Sequence, residues 1–416
     1  VNADIHDPNI DVTMLASGTF NGKLPAIHLD ATIDSIKTLP LHLTRQSIIY
    51  HGKIDGDFTN INPDSLAGNL SVTHSVLVNN GQRMTLDSLQ VIADNTTGNQ
   101  SLTLKADFLS ASIKGQYKLT QLADVFQQAI DPYFSLTAVK NTQKVDFYHF
   151  TINAGVVDNP ALRAFLPTLT QLKPINLSGN FASDSGWNVA ITSPHIVYGT
   201  SDINELNLNA GTKNGTLVFN TSLKQFKSGS SLSIYATTLN GTLQNNNLDF
   251  ILNIKDKDFK NKYRLSGNLN QPSLNNYAFS LRPDSLLLNY EQWAINADNK
   301  IQYFNKDINA HNFVLSQKGQ QLSINSAGTE HNSPLQIDFK NFNIATITGF
   351  IQSDSLMVNG MLNGTAVVKN IQTQPTFTAD LTVNNLSIYK DTLGNLTAKV
   401  NNNIANKYEA AVSLTG

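Results

Sequence analysis

Apolar and polar residues alternate in short runs along most of this chain. In the run 406–415, Glu409, Ala411 and Ser413 alternate with four apolar residues, which are Tyr408, Ala410, Val412 and Leu414. Successive side chains of a β-strand point to opposite faces, so such a run predicts a strand with one apolar and one polar face. The run 377–383 has the same pattern. Many such runs predict an all-β protein with a long antiparallel sheet, continuous over residues 1–416.

Asn-Gly pairs mark expected hairpin turns between these strands. The pair readily adopts the positive φ angles that a two-residue hairpin turn requires. The pairs are Asn80-Gly81, Asn214-Gly215, Asn240-Gly241 and Asn363-Gly364. Two short motifs, Asp-Ser-Leu and Leu-x-Gly, also recur. Their irregular spacing argues against a solenoid of fixed repeat length.

The segment 120–133 departs from the strand pattern. Its apolar residues fall at helical spacing, namely Leu122, Val125, Phe126, Ala129 and Ile130. Thr120 is the expected N-cap, and Pro132 is expected to end the helix. An apolar stripe usually marks burial, so we expect this helix to cover the sheet as a plug or an edge cover. A partner-binding helix is the alternative.

A second helix is predicted over 159–173, so that residues 120–173 form a helical interruption of the sheet. Asn159 is positioned to cap it, and Pro160 suits its first turn. Pro167 is expected to kink or split the helix. Its apolar stripe consists of Leu162, Phe165, Leu166 and Leu169.

The composition fits exposed sheet faces more than a nucleic-acid-binding or disulfide-linked protein. Charged residues make up 14% of the chain, which is low for a soluble domain. The net charge of −2 gives no electrostatic reason to expect nucleic acid as a partner. The absence of cysteine excludes disulfides, thiolate metal sites and cysteine nucleophiles. No apolar stretch is long enough to span a membrane, and both chain ends lie in strand-like sequence, so we expect a fragment of a longer protein.

The sequence contains no motif that indicates catalysis, a cofactor or a metal. The nine histidines are scattered singly, and the Asp4, His6 and Asp7 cluster is better explained as a solvated turn. No phosphate-binding glycine-rich loop, nucleophile elbow or zinc-protease motif occurs. We therefore expect a protein that is not an enzyme.

The most basic stretch of the chain is 255–264, with the sequence Lys-Asp-Lys-Asp-Phe-Lys-Asn-Lys-Tyr-Arg. A charge run of this kind is usually a solvated surface, and here it would be the rim of a sheet. Contact with anionic lipid head groups or with an acidic partner is the functional alternative.

The order of motifs over 301–416 resembles a known family. The alternating run 311–316 leads to 321–324, then to 334–344 and to Val358-Asn359-Gly360-Met361-Leu362-Asn363-Gly364, and the strands at 375–381 and 408–414 follow. This order resembles the repeating region of the translocation and assembly module subunit (TamB) family, within the AsmA-like group of bridge-type lipid transport proteins. The segment 113–119 is also similar to that family, so the resemblance covers most of the chain and is strongest in the last third.

The resemblance implies a fold and a function. Its fold is a sheet curled into an open apolar groove, called a β-taco. The family resemblance implies a periplasmic bridge that carries phospholipid between inner and outer membranes and contributes to outer-membrane protein assembly. The parent protein would be anchored in the inner membrane and would engage an Omp85-type outer-membrane barrel through a C-terminal domain, which is not identified in this sequence. No catalytic residue or cofactor is implied.

On this interpretation the apolar residues of the strands line the groove. The candidates are Leu102, Leu104, Ala106, Phe108, Phe313, Leu315, Leu322, Ile324, Phe377, Leu381, Tyr408, Ala410, Val412 and Leu414. The alternative is that the same residues form the closed core of an ordinary β-sandwich.

Two other function classes stay open at this point. A β-rich surface or adhesive protein with a closed sandwich core would bind glycans or proteins, and exposed aromatic residues would favour it. The residues that decide this are Tyr148, Trp187 and Trp293. An enzyme built on a β-helix is disfavoured by the irregular repeats and by the missing acid–base clusters.

Overall fold

The all-β prediction is confirmed in a computed structural model, in which strands make up 70% of the residues and helices 7%. The structure describes residues 1–20, 24–79, 81–96, 99–135, 142–229, 232–304, 307–330, 333–351, 358–371, 375–389, 391–404 and 407–416. Its residues divide into two compact units. Unit 1 comprises Val1–Ala129 and Asn141–Thr212, and unit 2 comprises Ile130–Lys140 and Lys213–Gly416.

Unit 1 is a succession of antiparallel strands in which almost every strand pairs with its neighbours in sequence. The first eight strands are β1 (Asn2–Asp7), β2 (Ile10–Thr19), β3 (Ala26–Lys37), β4 (Ile48–Asn60), β5 (Ala67–Asn79), β6 (Gln82–Thr96), β7 (Asn99–Ala106) and β8 (Leu109–Gln116). The next five are β9 (His149–Val156), β10 (Leu169–Leu172), β11 (Ile175–Ala182), β12 (Gly186–Tyr198) and β13 (Ser201–Lys213). The exception to sequential pairing is β9, which pairs with β11, while β10 pairs with β12.

The first predicted helix is confirmed, although its start differs. Helix α1 spans Leu122–Ile130, directly after a short 3-10 helix at Leu119–Gln121. Thr120 is not the N-cap, because it lies inside the 3-10 helix, where its backbone N–H and its hydroxyl both donate to the Asp64 carboxylate. The helix buries Val125 and Ala129 against the sheet. It therefore covers part of the sheet, as the apolar stripe predicts.

The second predicted helix is shorter than expected. Helix α2 spans Pro160–Phe165, and its N-cap Asn159 accepts a hydrogen bond from the Ala161 N–H at 2.7 Å, as predicted. The helix ends before Pro167, and Leu169 already belongs to strand β10. The helical prediction for 169–173 is wrong, because Pro167 disfavours the α conformation of the residue before it and the chain continues as a strand.

Unit 2 contains two sheets. The first has β14 (Thr216–Ser228), β15 (Leu232–Gln244), β16 (Asn247–Lys255), β17 (Asn261–Ser273), β18 (Asn276–Leu281), β19 (Leu287–Leu288), β20 (Glu291–Gln292), β22 (Lys300–Phe304) and β23 (Asp307–His311). The second has β21 (Ala294–Ile295), β24 (Phe313–Gln317), β25 (Gln320–Ser326), β26 (Leu335–Asn343), β27 (Val358–Lys369), β28 (Thr376–Ile388), β29 (Asp391–Ile404) and β30 (Lys407–Thr415).

The two sheets of unit 2 share a closed core. Strands β18, β21, β24 and β26 and the link between the sheets contribute its buried residues, which are Leu281, Leu286, Trp293, Ile295, Phe313, Leu315 and Phe342. Phe342 is 1% exposed and packs against the rings of Trp293 and Phe339. Partly buried residues of both sheets, among them Phe250 and Leu362, pack around this cluster.

A third helix, α3 (Ala345–Ile351), was not predicted. Threonine and isoleucine at 346–348 favour strands and Gly349 disfavours helix, so the sequence gives no helical signal. The Asn343 side chain accepts from the Ala345 N–H at 2.8 Å. Tyr263 donates to the Thr346 carbonyl oxygen, and the Lys262 ammonium group donates to that of Gly349. Tertiary contacts thus stabilise this helix.

The Asn-Gly predictions are confirmed only in part. Asn214 and Gly215 have φ angles of 51° and 73° between β13 and β14, as a hairpin turn requires. Asn240-Gly241 lies inside β15 and Asn363-Gly364 inside β27, so these two turn predictions are wrong. The hairpin after β15 is made by Asn245 and Asn246, both at positive φ. Gly81 has φ 82°, while Asn80 lies outside the described residues.

Candidate binding surface: the apolar faces of the sheets

One row of directly paired residues crosses eleven strands of unit 1 and is apolar throughout. It follows the pairings of β2–β9 and β11–β13. Its members are Ala16, Leu29, Gly56, Leu70, Val91, Leu104, Ala111, Ala154, Leu177, Ile191 and Leu208, and we call this set the unit 1 row. Neighbouring strands lie about 4.8 Å apart, so ten steps give a row of about 48 Å.

The unit 1 row is not buried in the way a sandwich core is. Apart from Gly56, all its members are partly exposed. In a closed core, residues such as Leu104, Leu177 and Ile191 would be buried, because core side chains are packed on all sides. The row therefore leaves apolar side chains accessible along its length.

The opposite face of the same strands is polar. The adjacent row over β7–β13 contains Thr103, Ser112, Asn153, Ser178, Ala190 and Asn209. Alternation along each strand and the register between strands together separate the two faces. A one-residue shift in register would mix them, so the pairing keeps the apolar face continuous.

Two covered regions flank the unit 1 row. On one side, α1 packs with Phe150, Phe181 and Trp187, and the Trp187 indole N–H donates to the Ala129 carbonyl oxygen at 2.8 Å. Burial in this cluster raises the pKa of Tyr117 to about 12. On the other side, α2 and β10 contribute Leu162, Leu169 and Leu172 to a smaller cluster with Phe108 and Val156. The row between these clusters stays partly exposed.

The second sheet of unit 2 has an apolar face that changes from covered to open. One row runs from β24 to β30 through Leu315, Leu322, Phe339, Gly364, Leu381, Ala398 and Val412. Leu315 is 7% exposed, Leu381 is partly exposed and Val412 is 63% exposed. The first strands face the closed core, whereas Leu381 in β28 and the residues of this row in β29 and β30 stay accessible, next to the buried Val383.

Small residues line the middle of this open part. Over β27–β30, the two central rows contain Gly364, Leu381, Ala398, Val412, Ala366, Ala379, Val400 and Ala410. The rows on either side are bulkier and contain Leu362, Val383, Leu396 and Leu414 on one side and Val368 and Phe377 on the other. Because alanine and glycine project less than leucine and phenylalanine, the side chains form a shallow lane that crosses the strands. We call it the unit 2 lane.

The predicted groove residues fall into three groups. Leu102, Leu104 and Ala106 in β7 and Phe377 and Leu381 in β28 are partly exposed on apolar faces, and Ala410, Val412 and Leu414 in β30 are exposed. Phe313 and Leu315 are core residues at 7% exposure, so we leave them out of the candidate surface. Residues of the third group pack against a cluster while partly exposed: Leu322, Ile324, Phe108 and also Leu102. The Tyr408 side chain lies outside the described residues.

Sequence reasoning missed most of the unit 1 row. Leu29, Leu70, Val91, Leu177 and Ile191 were not among the candidates, although each lies in an alternating segment that could have indicated it. Alternation shows that each segment has an apolar face. It does not show which residues of different strands lie side by side, because that depends on the register of strand pairing.

Of the aromatic residues that would favour a glycan-binding surface, Trp293 is buried, and Tyr148 and Trp187 are partly exposed. Trp293 is 4% exposed in the closed core of unit 2. Trp187 stacks on Phe181, and Tyr148 packs against Phe150, at ring distances of 6.0 and 5.7 Å. Each of the three thus packs against another aromatic ring within its own unit.

Polar depressions and titratable clusters do not suggest a second site. Depressions of about 400 and 380 Å³ lie on the polar faces, lined in unit 1 by residues such as Asn153 and Asn176 and in unit 2 by Asn220 and Asn240. Within the described part of the chain, no group of three or more histidine or acidic side chains could hold a metal ion. Nor does any helix of that part have the length and hydropathy needed to cross a membrane. A ligand on the apolar face would lie on an open surface and not in an enclosed cavity.

Comparison with protein-family models, with curated proteins and with solved structures finds no match to this chain. The resemblance to the AsmA-like group therefore stays a prediction from the sequence motifs.

Proposed function

We propose that this chain binds phospholipid acyl chains on the apolar faces of its sheets and conducts them as part of a periplasmic bridge between the inner and outer membranes. The observation that carries the proposal is the unit 1 row, in which eleven neighbouring strands present apolar residues in one line, all of them partly exposed except Gly56. The open half of the second sheet of unit 2 repeats the arrangement. An outer-membrane barrel of the Omp85 type remains a proposed partner of the parent protein.

The dimensions suit an acyl chain lying across the strands. The hydrocarbon core of a bilayer is about 30 Å thick and holds two chains end to end, so one chain is about 15 Å long. At about 4.8 Å per strand it covers roughly three strand spacings. The four strands β27–β30 of the unit 2 lane, which are three spacings wide, would then hold about one chain, and the unit 1 row would hold about three in series.

The energetics favour movement along the face over release into water. Each buried methylene contributes about 0.8 kcal/mol, so a 16-carbon chain covered on one side is held by roughly 6 kcal/mol. A step from one strand to the next exchanges one apolar wall for another, so the free energy changes little. Release into solvent would lose the whole contribution. Because successive positions of the row are apolar, an acyl chain can move along it at little cost, whereas its release into water is unfavourable.

Substituting Leu381 by glutamate tests the proposal directly. Leu381 lies in the unit 2 lane, so a charge there should repel acyl chains, and because the side chain is partly exposed the unit should stay folded. Thr382 is the matched control, since it is the next residue of β28 and points to the opposite face. The measurement is native mass spectrometry of detergent-free protein for bound phospholipid, with circular dichroism to confirm folding.

We expect wild type and Thr382→Glu to carry phospholipid and Leu381→Glu to carry clearly less. Wild-type protein free of lipid after incubation with phospholipid vesicles would refute the proposal. Equal loss in the two variants would also refute it. Unfolding of Leu381→Glu alone would indicate a closed core at this position and favour the sandwich alternative.

The adhesive-protein alternative has one observation in its favour, the closed core between the two sheets of unit 2. That core resembles the interior of a sandwich, and it includes two of the predicted groove residues. Sugar binding by lipid-free protein would support this alternative.

A further inference from the structure

The loop between β16 and β17 presents an aromatic side chain to solvent. Phe259 lies near the tip of this loop, and 64% of its surface is exposed. Its φ angle is +61°, in the left-handed region that bulky residues rarely adopt. Glycine at this position would relieve the backbone strain, and the exposed ring gains little burial in return. Folding therefore does not explain a phenylalanine here.

Hydrogen bonds to Asp256 hold the loop in this shape. Its carboxylate accepts from the backbone N–H groups of Asp258 and Lys260 at 3.0 and 2.9 Å and from the Tyr290 hydroxyl at 2.7 Å. Burial opposes ionisation of this carboxyl, but these hydrogen bonds outweigh it and lower the pKa of Asp256. Tyr290 also has a positive φ, +70°. Strained residues persist where the surroundings over-determine them, and they cluster at functional sites.

Further apolar side chains lie on helix α3, which is joined to the start of β17. The Lys262 ammonium group donates to the Gly349 carbonyl oxygen at 2.6 Å, and the rings of Tyr263 and Phe350 meet edge to face at 5.4 Å. Phe350 is 40% exposed and Ile347 is 52% exposed. We call Phe259, Tyr290, Ile347 and Phe350 the apolar tip of unit 2.

Two lysines, Lys260 and Lys262, lie beside the Tyr290 ring of the apolar tip, within a basic segment of the chain. The segment 255–264 has five basic residues and two aspartates, which leaves a charge of +3 in a chain whose net charge is −2. The Lys260 ammonium group lies 4.9 Å from the centre of the Tyr290 ring. Exposed aromatic and aliphatic groups with lysines beside them match a membrane interface, where apolar groups enter the acyl region and ammonium groups stay at the phosphates.

A bilayer fits this surface better than a folded acidic protein. Phe259 projects from a loop, so a protein partner would need a pocket shaped for it, whereas a bilayer accepts a projecting apolar side chain wherever it enters. The neighbouring lysines meet phosphates at every such place. We propose that the apolar tip of unit 2 and the lysines of 255–264 dock the protein onto the surface of an anionic phospholipid bilayer. This contact does not depend on acyl-chain conduction along the sheets.

Flotation of the full chain with lipid vesicles tests the docking surface. We expect wild type to float with vesicles of phosphatidylcholine mixed with phosphatidylglycerol and to stay behind with phosphatidylcholine alone. Phe259→Gly should weaken binding to the anionic vesicles by about tenfold or more, because the ring no longer inserts. The same variant should be at least as stable as wild type in urea, because glycine suits the left-handed backbone. Lys257→Gln and Lys260→Gln should each weaken binding by about fivefold at low salt.

Tyr389→Gly is the matched control. Tyr389 is 63% exposed with φ +55°, but its sequence neighbours Lys390 and Asp391 cancel in charge, so vesicle binding should not change. Leu381→Glu should float like wild type, and Phe259→Gly should retain bound phospholipid, which separates docking from conduction. The proposal would be overturned if wild type did not float with anionic vesicles. It would also be overturned if Phe259→Gly floated with them as wild type does. Binding to polyglutamate without binding to vesicles would assign the surface to an acidic protein instead.

Discussion

At the scale of single residues, glycines inside strands allow large side chains to pack. Gly241 lies opposite Phe219 on β14 and opposite Phe250 on β16. A Cβ atom at Gly241 would lie 2.6 Å from the Asp249 carbonyl oxygen and 2.6 Å from the Phe219 ring. Aromatic rings beside strand glycines recover the packing that the missing side chain gives up. Gly241 is therefore required by close approach and not by a turn.

We expect Gly241→Ala to destabilise unit 2 by about 2 kcal/mol, because the backbone oxygen of Asp249 cannot move away without disturbing β16. Gly56→Ala is the comparison, since its Cβ would meet the flexible end of Leu70 at 3.3 Å and the Asn69 carbonyl oxygen only at an ordinary contact distance of 3.9 Å. That change should be neutral or stabilising by up to about 1 kcal/mol, because alanine restricts the unfolded chain. Urea unfolding measures both, and an equal cost for the two variants would contradict the packing role of Gly241.

The same glycine shows why local signals fail at this scale. Asn214-Gly215 and Asn240-Gly241 are the same dipeptide, yet the first is a turn and the second lies within a strand. The dipeptide tolerates a turn but does not compel one. Whether the dipeptide forms a turn or stays within a strand depends on the residues paired with it across the sheet. Those residues are distant in sequence.

At the scale of elements, the apolar face of the second sheet of unit 2 is covered at one end and accessible at the other. Phe342 in β26 is 1% exposed in the closed core, and Val412 in β30 is 63% exposed. We expect Phe342→Ala to cost about 3–5 kcal/mol and Val412→Ala to cost less than about 0.5 kcal/mol. Unfolding in urea measures both costs. Trp293 fluorescence follows the unfolding of the Phe342→Ala variant, since the Trp293 ring lies 5.6 Å from that of Phe342 in wild type. A cost for Val412→Ala similar to that for Phe342→Ala would show that β30 is covered in solution, and it would remove the lane from the candidate surface.

The helices show what element-scale patterns can and cannot predict. The periodic apolar residues of α1 were recognised because they pack directly on the sheet. Asn159 and Pro160 correctly marked the start of α2, while the chain after Pro167 returned to a strand. Helix α3 has no helical pattern and forms where Lys262 and Tyr263 donate to its carbonyl groups. Sequence patterns predict helices that pack on the sheet through an apolar stripe of their own. They miss helices that depend on hydrogen bonds from residues distant in sequence.

At the scale of the whole molecule, the apolar surface is divided between two units. The unit 1 row and the unit 2 lane each have room for acyl chains, so a charge in one should leave the other functional. We expect Ile191→Glu or Leu381→Glu alone to lower the phospholipid content in part, and both together to abolish it. Native mass spectrometry counts the lipids on each variant. Complete loss from one substitution would show that the two surfaces do not bind independently.

Thr192→Glu and Thr382→Glu control for added charge at this scale. Thr192 follows Ile191 on β12 and is exposed on the polar face, as expected from alternation. The double control variant should carry as much phospholipid as wild type. A loss in the double control would attribute the effect to charge or to folding, not to the apolar faces.

The alternation of residues by itself determined that this chain forms two-faced strands, because side chains of a strand point to opposite faces whatever lies around them. It also placed Phe313, Leu315, Leu381 and Val412 correctly on apolar faces. Only the tertiary structure decided that the first two are covered and the last two accessible. Coverage depends on which other element packs against a face, and that is set by contacts between residues far apart in sequence.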